Sequence, residues 1–185
     1  PSWVSRVISH ALTPEVPMDS NDRASVPTPW TRRLAIAVGL CSIVFTIGTA
    51  LHNFAVVDAE LIETMMRDAG RADPEGDAPG FTTGFRIVGS IYIVGNAVGI
   101  LAFWRQPAWL FWVVLVVNAT QAMGWFLIPS EMWSAVEDRY GTIGLLPSVV
   151  TDGGAVLLTI ALVASLVVFH APWARRRAAT PAAPR

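Results

Sequence analysis

The sequence predicts an all-α polytopic membrane protein: four antiparallel transmembrane helices in a single bundle, preceded by an amphipathic N-terminal extension. Three observations predict it. Of 185 residues, 53% are hydrophobic and only 15% are charged, whereas soluble domains average about 25% charged. Four apolar stretches each approach the roughly 20 residues a bilayer-crossing helix needs. The arginines and acids then segregate into connecting segments that alternate as four crossings require. A mean hydropathy of +0.49 agrees.

The elements follow in chain order. Residues 1–30 divide in two. Pro1 to Leu12 places Trp3, Val4, Val7, Ile8 and Leu12 along one helical face, a pattern for lying on a membrane surface. Thr13 to Pro29 has linker composition, and Met18 offers an alternative start. A transmembrane domain over 31–173 holds spans at about 34–57, 85–104, 109–128 and 143–169. The first, third and fourth carry a single ionisable acid between them, Asp152, and the second is uncharged after Arg86. An acidic extracytoplasmic loop covers 58–84. Within it Leu61, Ile62, Met65 and Met66 recur on helical spacing, and Arg71 to Gly80 reads as a flexible turn. Residues 174–185 form a basic, disordered tail. The first apolar run begins too late and is too long for a cleavable signal peptide.

Arginine placement sets the direction of threading. Arg32 and Arg33 precede the first span, Arg105 lies in the turn after the second, and Arg175, Arg176 and Arg177 follow the fourth. The opposite side holds Asp58, Glu60, Glu63, Asp68, Asp73, Glu75 and Asp77. Both termini are therefore expected in the cytoplasm, with the protein in the inner (plasma) membrane. Trp30, Trp104, Trp109, Trp112 and Trp173 fall at the expected inner interface, and Trp125 and Trp133 at the outer one, where amphipathic rings favour the headgroup level.

Several function classes drop out. A net charge of −1 creates no field for a nucleic acid. The lone Cys41 excludes a disulfide and thiol-pair redox chemistry. His10, His52 and His170 occupy three different depths, so a bis-histidine haem is not expected, and no motif calls for a metal or cofactor.

What remains is a set of polar groups inside the spans. Each is costly in hydrocarbon and needs a partner. Asn96, Asn118, Gln121 and Asp152 come from three helices and fall near mid-depth of each. Asn118, Gln121 and Trp125 share one stripe of the third span. Tyr92 and Asn96 lie one turn apart on the second. Ser148, Thr151 and Asp152 make a patch on the fourth. Two readings stay open. These groups are interhelical glue of the kind ordinary in membrane proteins, or they floor a cavity in which Asp152 fixes a basic or hydroxyl-bearing ligand between Tyr92 and Trp125. Near the outer surface, His52 and Arg86, with Glu60 and Glu63 across the loop, suggest a salt-bridged gate or simple snorkelling.

The segment Arg86-Ile-Val-Gly-Ser-Ile-Tyr, followed by a short basic turn and an apolar third span, resembles the small four-helix DoxX-like membrane proteins. The resemblance covers Arg86 to Trp109 in residues and 31–169 in topology. It implies a fold and a bacterial inner membrane, with no reaction and no site residue. The expected function is the binding of a small lipophilic or amphipathic ligand, or a lipid, in the polar-floored interior. The alternatives are an accessory subunit with a membrane-protein partner or a second copy of itself, and a small enzyme or proton-coupled carrier using Asp152.

Overall fold

The computed structural model describes residues 25–177. The expected amphipathic helix at Pro1 to Leu12, most of the linker and the tail after 177 lie outside them.

Helix α1 (Pro29–Leu51) begins at Thr28, whose backbone N–H donates to Thr31 Oγ1 at 3.0 Å, with Pro29 in the first turn where no donor is lost. It widens into an i→i+5 turn over His52–Val56, closed by the Val57 N–H donating to the His52 carbonyl at 3.0 Å. Asp58 then caps α2 (Ala59–Asp68) by accepting from the Leu61 amide at 2.9 Å. Helix α3 (Pro74–Gly99) runs on through a 3-10 turn, Ile100–Phe103. Helix α4 is Ala108–Leu127 and α5 is Ser130–Tyr140. Gly141, at φ +65°, makes the left-handed step that only glycine takes without strain. Beyond it come α6 (Thr142–Ser148), a second widened turn over Val149–Gly153, and α7 (Gly154–Phe169). Two-residue strands at Ser25–Val26 and Arg176–Arg177 are the exceptions to helix.

Four helical runs are long and apolar enough to cross a membrane: Pro29–Val56, Pro74–Phe103, Ala108–Leu127 and Thr142–Phe169. Three of them have 28 to 30 residues. At about 1.5 Å per residue these exceed a hydrocarbon core of about 30 Å. The second starts well before the expected residue 85. Arg71 to Gly80 is not a flexible turn throughout, because Asp73 accepts from the Gly76 amide at 3.1 Å and starts α3 at Pro74. Glu75 and Asp77 then sit in the first turn, where the helix dipole favours acids.

Two apolar cores result. One joins the long helices through Val38, Phe45, Leu110, Phe111, Val114, Leu158 and Leu162. The other lies under α2 and α5 and is built from Val57, Leu61, Ile62, Met65, Met132, Ala135 and Val136. The outward faces of the long helices are apolar as well: Ile91 is 66% exposed and Leu157 70%. A helix apolar all round is suited to lipid.

The end of the chain corrects one expectation. Trp173 is not an interfacial anchor. After His170 the backbone passes through left-handed conformations at His170, Trp173 and Ala174, folding the segment back. Trp173 is fully buried against Phe111, with Nε1 donating to the Pro107 carbonyl at 2.8 Å. Thr28 Oγ1 donates to the Ala174 carbonyl at 2.7 Å, which ties the segment to the start of α1.

Candidate functional site

Between the two cores lies a layer of buried polar side chains. Its hub is Gln121 on α4. Gln121 Oε1 accepts from Asn96 Nδ2 on α3 at 2.9 Å. Gln121 Nε2 donates to Asp152 Oδ1 at 3.2 Å and to Thr49 Oγ1 on α1 at 3.3 Å. Thr151 Oγ1 also donates to Asp152 Oδ1, at 3.3 Å. Asp152 Oδ2 receives no hydrogen bond from the described residues.

Both widened turns lie in this layer. The first carries His52 and Asn53, the second Thr151 and Asp152, and Ser148 Oγ stands 3.2 Å from His52 Nδ1 between them. Such turns rotate side chains out of the ordinary helical register and recur at functional sites. Pro147, which supplies no backbone donor, stands two residues before the second one, which ends at Gly153 and is followed by Gly154. Asn53 is buried; its Nδ2 donates to the Arg86 carbonyl at 3.2 Å while its Oδ1 has no partner among the described residues. Gly89 makes this possible, since any side chain there would collide with the Asn53 amide.

A cavity of about 260 Å³ opens on this layer. Thr49, His52, Asn53, Gln121, Thr151 and Asp152 supply its polar lining, and Phe85, Val88, Tyr92, Leu127 and Ile128 its apolar walls. Gly89 and Gly124 bring helix backbone to its surface.

Of the residues singled out from sequence, Asp152, Gln121, Tyr92 and His52 line this cavity. Asn96 stands behind the lining and orients Gln121, with its own Oδ1 buried and unpartnered. Asn118 does not join the network. Its Nδ2 donates to the Val114 carbonyl of its own helix at 2.8 Å, one turn back, among the core residues of the long helices. Trp125 stands outside the lining, stacked edge-on against Trp133 with ring centroids 5.6 Å apart. Arg86 makes no ion pair with Glu60 or Glu63: Arg139 takes Glu60 at 3.1 Å, and Arg67 pairs with Glu63 one turn away. The Arg86 side chain is exposed on a groove with Ile87, Ile91 and Val94.

Thr49 escaped the sequence reading, and Asn53 stands out there only beside His52 near the outer end of the first span. Their signal was present, because Thr49, His52 and Asn53 stand at i, i+3 and i+4 and share one face of α1.

The cap formed by α2 and α5 is held by a different chemistry. Arg139 on α5 donates to Asp58 Oδ1 at 2.9 Å and to Glu60 Oε2 at 3.1 Å, clamping α5 to the start of α2. Partial desolvation pushes the Asp58 carboxyl up. Hydrogen bonds from the Leu61 amide and from Arg139, with the Arg139 charge, outweigh it and hold the carboxyl below its ordinary value.

Among the described residues, no three His, Cys, Asp or Glu side chains gather as a metal site would require. Fold and site together define an all-α protein with four helices able to cross a membrane and a polar layer between two apolar cores. Comparison with known proteins finds no matching family, no matching curated protein and no matching solved structure.

Proposed function

We propose that this is an integral membrane protein, a four-span antiparallel bundle with both termini on the cytoplasmic side, that binds a small lipophilic or amphipathic ligand in the cavity above Gln121. The proposed topology resembles that of the small four-helix DoxX-like membrane proteins. Its direction rests on charge: Arg32, Arg33, Arg105 and Arg175 belong to one end, and the acids of α2 and the start of α3 to the other.

The observation that carries the ligand is a pair of acceptors on one apolar cavity. Asn53 Oδ1 and Asp152 Oδ2 both lack a donor among the described residues, and both residues line the same space. Of the two, Asn53 Oδ1 is buried, and a buried acceptor without a donor is costly. A hydroxyl or amine on the ligand would satisfy them while its hydrocarbon part meets Phe85, Val88, Tyr92 and Leu127. At about 260 Å³ the space exceeds a benzene-binding cavity of about 150 Å³ and lies just below ordinary drug-sized pockets. The bound portion is therefore of one-ring to two-ring size.

Native mass spectrometry of the protein purified in mild detergent tests this. The wild type carries a small-molecule adduct, Asp152→Asn weakens it by roughly 10-fold or more, and Gly124→Leu removes it. A Cβ at 124 meets no atom within 4 Å, and Gly124 lines the cavity, so a side chain can be added there at its wall. An adduct-free wild type, or an adduct indifferent to both substitutions, would overturn the reading.

A further inference from the structure

The basic end of the molecule holds a second, larger space. It has a volume of about 700 Å³ and lies between the end of α3, the turn Trp104-Arg105-Gln106-Pro107, the start of α4 and the folded-back C-terminal segment. Arg105 and Arg175 both line it, and no acidic side chain does. Neither arginine forms an ion pair with any described residue. Arg175 Nε is buried with no hydrogen-bond partner among them. The sequence deepens the asymmetry, because no Asp or Glu occurs in 23–57, in 78–130 or after 152.

Two cations in one concave space, one with a buried donor unused, call for an anion. The remaining lining identifies its attachment. Trp104 is 72% exposed, Trp109 and Leu101 about half, and these apolar surfaces lead from the arginines onto the outward faces of the helices. An anion that fits both parts carries hydrocarbon directly behind its charge. We infer that Arg105 and Arg175 form a binding site for the phosphate of an anionic phospholipid, with Trp104 and Trp109 flanking the glycerol and first methylenes. Guanidinium groups match phosphate oxygens in geometry as well as charge. Basic pockets on the cytoplasmic side of membrane helices are suited to such head groups. Gln106 Nε2 commits one of its two hydrogens to the Ala102 carbonyl at 2.7 Å. The inference rests on the membrane reading above, and not on the ligand in the other cavity.

The test uses the full-length protein, delipidated in detergent and then exposed to phosphatidylglycerol, to phosphatidylcholine, or to inorganic phosphate alone. Bound lipid is counted by native mass spectrometry. Membrane insertion is scored separately, by resistance to carbonate extraction from cells. Wild type is expected to retain phosphatidylglycerol over phosphatidylcholine. The double variant Arg105→Gln/Arg175→Gln loses that preference by roughly 30-fold. Arg105→Lys/Arg175→Lys keeps part of it, which separates loss of charge from loss of fold. A control double variant at the acidic end, Arg67→Gln/Arg71→Gln, leaves it unchanged. Equal retention of both lipids by the wild type, or a preference untouched in the glutamine variant, overturns the inference. So does arginine-dependent capture of inorganic phosphate without lipid preference. A protein that carbonate releases from the membrane overturns the membrane reading instead.

Discussion

The two apolar cores are made by opposite kinds of helix. Under the cap, α2 and α5 are amphipathic: Leu61, Ile62, Met65, Met132 and Val136 point in, while Arg67, Glu137 and Asp138 point out. The four long helices have no such contrast. α7 buries Leu158 and Leu162 while exposing Leu157, Ile160 and Val167. Polarity on the outward face suits α2 and α5 to water, and its absence along α1, α3, α4 and α7 suits those helices to lipid. The polar layer sits at that junction, between the amphipathic cap and the core of the long helices.

The comparison predicts unequal responses to substitution. The largest comes from Trp173→Ala, which empties a fully buried site against Phe111 and frees the Pro107 carbonyl. It should cost about 3–5 kcal/mol, read as a lowered thermal midpoint in detergent; a midpoint within a degree of wild type would refute this packing role. Ile62→Ala in the cap core should cost about 2–4 kcal/mol, but locally. Hydrogen exchange should quicken in α2 and α5 and stay slow in α4 and α7, and uniform quickening would show that the cores are not separable.

Smaller effects probe the layer and the clamp. Gln121→Leu disconnects Asn96, Thr49 and Asp152 at once, yet membrane hydrogen bonds average about 0.6 kcal/mol with a maximum near 1.7. A loss of about 1–2 kcal/mol is expected, with a non-zero coupling to Asp152→Asn in a double-mutant cycle. Additive losses would mean that the two side chains do not interact. Smallest is the surface clamp: Asp58→Asn should cost no more than about 1 kcal/mol at pH 7, because both partners are partly exposed. The sign of its pH dependence is fixed. The folded-state pKa of Asp58 lies below the unfolded value of about 3.9, so its contribution is complete above that value and disappears as pH falls through the depressed one. Cap stability that rises on acidification would contradict the clamp.

The spans were legible because an uncharged apolar run of membrane length has few other uses. Asp152, Gln121 and Asn96 stood out for a related reason: amides and acids in hydrocarbon need partners. Their partners were harder to see. A threonine such as Thr49 costs little in a span and attracts no notice. Asn118 looked the same as Gln121 on the page, but it satisfies itself on the Val114 carbonyl of its own helix. The start of α3 was legible in Asp73-Pro74, a cap followed by a proline in the first turn, and was masked by the acidic composition around it. The burial of Trp173 was not legible, because the backbone reverses through left-handed conformations at His170, Trp173 and Ala174, none of them glycine.

The most direct measurement is site-specific labelling with a membrane-impermeant maleimide, in intact and in opened cells, on a Cys41→Ser background. Asp138→Cys on the cap should react in intact cells, Arg105→Cys only after the cells are opened, and Ile91→Cys on the outward face of α3 in neither. Reaction of the residue-105 thiol in intact cells would reverse the threading, and ready reaction at residue 91 would place water where the account requires lipid.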